Sequence, residues 1–161
     1  EAQRKIYELV LAAQSAGIAA VKPGAKYRDI NNACMKVLAE GLHDLGVLTI
    51  SAEESLKPEN GLHRRWSVHA SGHMLGLDVH DCAKARSDQY LDGILQAGQV
   101  LTVEPGLYIQ PDDQLFPAEF RGIGVRIEDD LLVTANGSEN LSAKLPRTVS
   151  EIENWIVELQ N

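Results

Sequence analysis

Four of the chain's five histidines, His63, His69, His73 and His80, fall within residues 63–80. Imidazole is the commonest protein metal ligand and changes charge near neutral pH. A lone histidine is ordinarily structural. A set this dense, with Ala70-Ser71-Gly72 in its midst, points to chemistry. His69 and His73 are four apart, a spacing that would put both on one face of a helix. Ala-Ser-Gly is a poor helix interior, and no Glu follows His69 to complete a zincin HExxH motif. Each histidine therefore reads as having its own task on a turn or at a strand end.

Two carboxylates add to this set. Glu104 follows Leu101-Thr102-Val103 and precedes Pro105-Gly106. A carboxylate directly after an apolar strand is costly to bury without a partner. Glu128 ends the alternating run Ile123–Glu128, where it shares a polar face with Arg126. One reading is an Arg126–Glu128 ion pair at a strand edge. The other is a hard-metal site of carboxylate and imidazole, suited to Mn, Co, Zn or Fe.

The surrounding pattern shows which elements must position these groups. Ile6, Leu9, Val10 and Ala13 form an amphipathic stripe, so a first helix runs to the Pro23-Gly24 breaker. Ile30, Cys34, Val37, Leu38 and Leu45 mark a second helix ending near Gly46. Residues 51–62 read as a loop or short helix. Val100–Val103 is a compact apolar strand stopped by Pro105-Gly106. The 123–128 run is a second strand, and Leu131–Thr134 leads to an Asn136-Gly137 turn. Thr148 and Glu151 form a capping box for a last helix whose stripe is Ile152, Trp155, Ile156 and Leu159. Helices, then strands, then a helix indicate an α+β fold with an antiparallel or mixed sheet and flanking helices.

Composition limits the function classes. The chain has 161 residues, 24% charged and 44% hydrophobic, which excludes a disordered chain. A net charge of −8 argues against nucleic-acid or anionic-membrane partners, whose phosphates need basic side chains. No apolar run reaches membrane-spanning length. Two cysteines, Cys34 and Cys82, exclude a disulfide scaffold. Each reads as a buried apolar thiol in a reducing, cytoplasmic setting. The chain opens at Glu1 without an initiator Met, so an upstream segment is expected.

The motifs themselves are recognisable. Val-His-Ala-Ser-Gly-His-Met-Leu-Gly-Leu-Asp-Val-His-Asp (68–81), Leu-Thr-Val-Glu-Pro-Gly-Leu-Tyr-Ile (101–109) and Arg-Gly-Ile-Gly-Val-Arg-Ile-Glu-Asp-Asp (121–130) resemble three successive blocks of the aminopeptidase P family. Glu-Asn-Leu-Ser (139–142) fits as well. The resemblance covers essentially the whole chain and implies the C-terminal half of a pita-bread catalytic domain over residues 1–161. Such enzymes release the first residue from peptides with proline in second position. They use two divalent metals, commonly manganese, and a metal-bridged hydroxide that attacks the scissile carbonyl.

By that resemblance His73, Glu104 and Glu128 are metal ligands, and Glu104 also handles the proton of the attacking water. His80 faces the scissile carbonyl, while His69, Tyr108 and Arg126 line the pocket for the proline. The family's two Asp ligands and a further substrate-contacting His lie upstream of what this chain resembles. Asp29 and Asp44, inside expected helices, do not replace them. The resemblance thus implies three of five ligands, an absent first half and N-terminal domain, and an inactive isolated chain. It also implies an exposed apolar sheet surface that favours self-association. Two alternatives stay open: a prolidase-type dipeptidase and a non-catalytic pita-bread binding module.

Overall fold

The computed structural model describes residues 1–82 and 84–160. The first helix, α1 (Ala2–Ala20), buries Ile6, Val10, Ala13 and Gly17 along one face. It ends where Val21 turns extended, two residues before Pro23. The second, α2 (Tyr27–Asp44), starts with the Asp29 carboxylate accepting the Lys26 N–H at 3.0 Å. It buries Ile30, Cys34, Leu38 and Leu42 against α1 and stops at Gly46, which takes a left-handed φ of 74°. Residues 51–62 hold a short helix, α3 (Ala52–Leu56), and a 3-10 turn follows at Leu62–Arg65.

The strands are β1 (Met74–Leu75), β2 (Val100–Val103), β3 (Gly106–Tyr108), β4 (Gly124–Arg126), β5 (Asp129–Thr134) and β6 (Gly137–Asn140). They form a four-stranded sheet in the order β1-β2-β5-β6 and a separate pair β3-β4, antiparallel throughout. The Asn136-Gly137 signal marks the β5–β6 hairpin. Pro105 interrupts the apolar run as expected, but strand geometry resumes at Gly106. The core lies between the sheet and α1/α2, with Leu101 and Val103 of β2 and Leu131 and Val133 of β5 fully buried.

Three expectations need correction. The Ile123–Glu128 strand shortens to Gly124–Arg126, leaving Glu128 in the link to β5. The last helix, α4 (Val149–Leu159), has its capping box but buries none of its side chains. It is held to α1 instead by the Arg4–Glu153 ion pair at 2.6 Å and by the Tyr7 O–H donating to Arg147 O at 2.7 Å. The exposed apolar surface is also not on the sheet. It lies on α4 (Trp155, Ile156, Leu159) and on loop residues such as Leu77 and Val79. Among the described residues, no helix is long and apolar enough to cross a membrane.

Candidate metal centre

The site forms where three extended segments meet. Residues 71–75 run antiparallel to β2: Glu104 N–H donates to Ser71 O and Thr102 N–H to His73 O, both at 2.8 Å, and Met74 faces Leu101. Gly72 permits this approach, since a methyl there would overlap the Thr102 carbonyl oxygen. On the other side of β2, Val103 pairs with Asp129 of β5. Continuing that register by one residue sets Glu128 beside Glu104. His73, Glu104 and Glu128 then present donor atoms that all lie within 4.8 Å of one another. His73 is extended, so the helical His69/His73 face does not exist.

The local hydrogen bonds fix how these donors are presented. His73 Nδ1 lies 3.0 Å from Met74 O. A carbonyl only accepts, so Nδ1 carries the proton and Nε2 keeps its lone pair. That lone pair stands 3.2 Å from Glu104 Oε1, and two acceptors so close need a cation between or beside them. Glu104 is buried at 8% exposure, where an uncompensated charge is costly. The Glu128 carboxyl is pushed above the usual range, first by burial and then by the charge of Glu104. Arg126 offers some compensation, 3.9 Å from Glu104 and 3.8 Å from Glu128, but it is half exposed and beyond hydrogen-bond distance. The Arg126–Glu128 ion pair is therefore present, but it is shared between two acids. A site short of positive charge, built from one imidazole and two carboxylates, fits a hard or borderline divalent ion.

The remaining candidates border this centre. His80 sits in an exposed loop with its ring edge-on to His73, centroids 4.4 Å apart and planes at 84°. His69 Nδ1 lies 2.8 Å from Ala70 O and so donates to it, while Nε2 accepts from the Tyr108 O–H at 2.6 Å. Burial raises the Tyr108 phenol despite the nearby Arg126 guanidinium, which keeps it a donor. Tyr108 faces Gly124 across the β3–β4 pair, which carries Arg126 two residues on.

One histidine and one cysteine depart from their expected places. His63 is not part of the His73–Glu104–Glu128 cluster. It is buried against Ser55, with Nδ1 3.0 Å from Ser55 O and its N–H donating to Ser55 Oγ at 3.0 Å, and burial pushes its pKa down. Cys34 is the expected buried thiol, raised to about 11 by burial. Cys82 is not: it is exposed, at a left-handed φ of 55°, beside Asp81.

Sequence reasoning passed over two residues that hold the site. Thr102 is buried with its hydroxyl between His73 N and Glu104 Oε1. The signal was present: Thr102 is the polar residue in an apolar strand and lies two before Glu104, on the same strand face. Asp129, next to Glu128, is also buried. It accepts from Gln14 Nε2 at 2.5 Å, Ser142 Oγ at 2.6 Å and Arg147 Nη1 at 2.7 Å. Nothing local in the sequence announces partners so distant along the chain.

Comparison with known proteins agrees with this geometry. The chain is 59% identical over 160 residues to Xaa-Pro aminopeptidase 1 of Streptomyces coelicolor, covering 99% of this chain and 32% of that protein. It is 40% identical to the Xaa-Pro aminopeptidase of Escherichia coli K12, covering 98% of this chain and 34% of that protein. The chain thus spans about a third of the length of these relatives. Its fold matches a Pseudomonas aeruginosa aminopeptidase with a TM-score of 0.90 at 40% identity, over 99% of this chain and 35% of that one. It also matches E. coli aminopeptidase P bound to the inhibitor Pro-Leu, with a TM-score of 0.89 at 39% identity and the same coverages. The architecture is that part of the pita-bread fold. The family model for metallopeptidase family M24 matches residues 1–135, and with the convergence of His73, Glu104 and Glu128 this places the chain in metallopeptidase family M24.

Proposed function

We propose that this chain is the C-terminal part of the catalytic domain of an Xaa-Pro aminopeptidase, a metallo-exopeptidase. In this reading the enzyme hydrolyses the bond before a proline in second position. The observation that carries the reading is the convergence of His73 Nε2, Glu104 and Glu128 in a chain 59% identical to such an enzyme. These three side chains would hold divalent metal, with manganese the first candidate. Metal bound there supplies a Lewis acid and a nucleophile available at neutral pH.

The chain's own residues supply the rest. Glu104, itself one of the three donors, would be placed to take a proton from a water attacking at that centre. His80, exposed and next to His73, can donate a hydrogen bond to the carbonyl oxygen as negative charge develops. A prolyl amide has no N–H, so its pocket must hold a ring by shape. The His69–Tyr108 pair, fixed in one tautomer, and Arg126 supply those walls.

The outer edge of β4 gives a place for what these residues lack. Among the described residues no strand pairs with that edge, although Arg126 and Glu128 sit on or beside it. In this reading an upstream segment of the same protein adjoins it and brings the two further carboxylate ligands. The 161 residues alone would then bind at most one metal weakly and be inactive.

The test is release of the first residue from Xaa-Pro-Yaa peptides by the full-length protein with Mn(II). Metal-dependent cleavage of longer peptides supports the proposal. Cleavage restricted to Xaa-Pro dipeptides makes it a prolidase-type enzyme. Peptide binding without turnover makes it a non-catalytic module. Turnover by the 161 residues alone overturns the account of the missing ligands.

A further inference from the structure

We infer that Thr102 is a positioning residue that joins two of the metal-binding side chains into one unit. The inference rests on the metal reading above. The Thr102 hydroxyl accepts the His73 backbone N–H at 3.0 Å and faces Glu104 Oε1 at 2.9 Å. A carboxylate can only accept, so the single hydroxyl proton goes to Glu104. The Thr102 backbone N–H donates in turn to His73 O at 2.8 Å. One buried residue thus holds the His73 backbone at two points and the Glu104 carboxylate at a third.

The geometry makes this more than packing. Thr102 is on β2 and Glu104 lies one residue past its end, where its N–H still donates to Ser71 O, so the two are i and i+2 along one extended run and their side chains project to the same face. The hydroxyl occupies one lone pair of Oε1 and sets the rotation of the carboxylate. The rest of Oε1 is left turned toward His73 Nε2, at 3.2 Å, and Oε2 toward Arg126 Nε, at 3.9 Å. The His73 ring is steered from the other side. Its Nδ1–H donates to Met74 O, and the Met74 N–H donates to the Tyr90 hydroxyl at 2.8 Å. Without the Thr102 hydroxyl the carboxylate can turn away from the imidazole, and a bound ion loses a preset donor. Outer hydrogen bonds of this kind commonly change metal affinity by about 10–100-fold.

The experiment uses the full-length protein and Co(II) alone, read by its visible d–d absorption as it is titrated in. Thr102→Val keeps the shape and removes the hydroxyl; Thr102→Ser keeps the hydroxyl and removes the methyl. Circular dichroism and thermal unfolding of the metal-free proteins establish folding. The valine variant is expected to weaken Co(II) binding by about 10–100-fold and alter the absorption band. The serine variant restores most of both. If valine does not fold, Thr102→Ala gives the same loss of hydroxyl with less bulk and is read in its place. Wild-type affinity and spectrum in the folded valine or alanine variant would overturn the inference. So would a serine variant as weak as valine, since that assigns the effect to the methyl. Failure of the wild-type protein to bind Co(II) brings down the metal reading itself, an outcome distinct from these.

Discussion

Strands β2 and β4 each lead to a carboxylate of the candidate centre, and they present it in opposite ways. β2 is central in its sheet, paired with β1 and β5, and Leu101 and Val103 are fully buried. Its carboxylate, Glu104, is enclosed, and its Oε1 faces the Thr102 hydroxyl. Among the described residues β4 pairs only with β3 and no strand covers its outer edge, and Gly124 and Arg126 are exposed. Its carboxylate, Glu128, is about two-fifths exposed, with Arg126 at 3.8 Å. The folded chain therefore presets one acid from within its own core. The other follows the chain into buried Asp129 and otherwise stands beside an edge that no strand pairs among the described residues.

If both acids serve one metal centre, the difference in burial should vanish in catalysis. Glu104→Ala and Glu128→Ala in the full-length protein should each lower Mn(II)-dependent turnover by about 10³-fold or more, because each removes several kcal/mol of transition-state stabilisation. A Glu128 variant with near wild-type kcat would show that only the buried acid takes part. In stability the two strands should separate instead. Leu101→Ala should cost about 2–5 kcal/mol in urea unfolding, as expected for a fully buried leucine. Val125→Ala, at a half-buried position on β4, should cost less than about 1.5 kcal/mol. Equal losses would mean that β4 is as much part of the core as β2.

The same contrast explains what could be read from the sequence. β2 was legible because a short apolar run bounded by Pro-Gly has few alternatives, and Glu104 stood out as a charge at its end. β4 was legible as an alternating run, but its length was overestimated. Alternation reports which face is apolar and does not report whether a partner strand lies alongside. α4 failed in the same way: its capping box and stripe define the helix, yet nothing in the sequence says what covers Trp155 or Ile156. The clustering of histidines suggested shared chemistry for His63, which the Ser55 contacts reassign to packing. The positioning role argued for Thr102 depends on a register between segments about 30 residues apart, which local pattern does not encode.

A third test concerns how the His69 segment is fixed to β3. Asp113 accepts from Trp66 Nε1 at 2.7 Å, Leu115 N–H at 3.0 Å and Arg65 Nε at 3.2 Å, and Trp66 O accepts the Tyr108 N–H at 2.8 Å. Those donors hold the Asp113 carboxyl below its usual range although burial opposes them. A depressed carboxyl stabilises the fold above its unfolded value, and that contribution is lost as pH falls through the folded one. Asp113→Ala should cost about 1–3 kcal/mol at neutral pH by leaving the buried Trp66 N–H unpaired. Its deficit should shrink below about pH 4, where the wild type loses the same contribution. A pH-independent deficit would assign the effect to packing alone.

The smallest expected effect separates the two acids most directly, in metal-free protein. Glu104→Ala relieves a buried charge but leaves the buried Thr102 hydroxyl without its acceptor and opens a cavity beside it, so it should still destabilise, by about 1–3 kcal/mol. Glu128→Gln should act in the opposite direction. Its carboxyl is raised by burial and by Glu104, so the folded chain binds that proton more tightly than the unfolded chain does. Stability is therefore lost as pH rises from the ordinary carboxylate range through the raised value. A neutral amide removes that loss. Partial exposure screens the effect, so the gain should be only a few tenths of a kcal/mol. Chemical unfolding with chelator at neutral pH measures it, and the gain should disappear in acid. Saturating Mn(II) should reverse the sign, because the carboxylate then binds an ion that stabilises the folded state. If Glu128→Gln lowers stability without metal as much as Glu104→Ala does, Glu128 is already satisfied within this chain, and the contrast between the two strands does not hold.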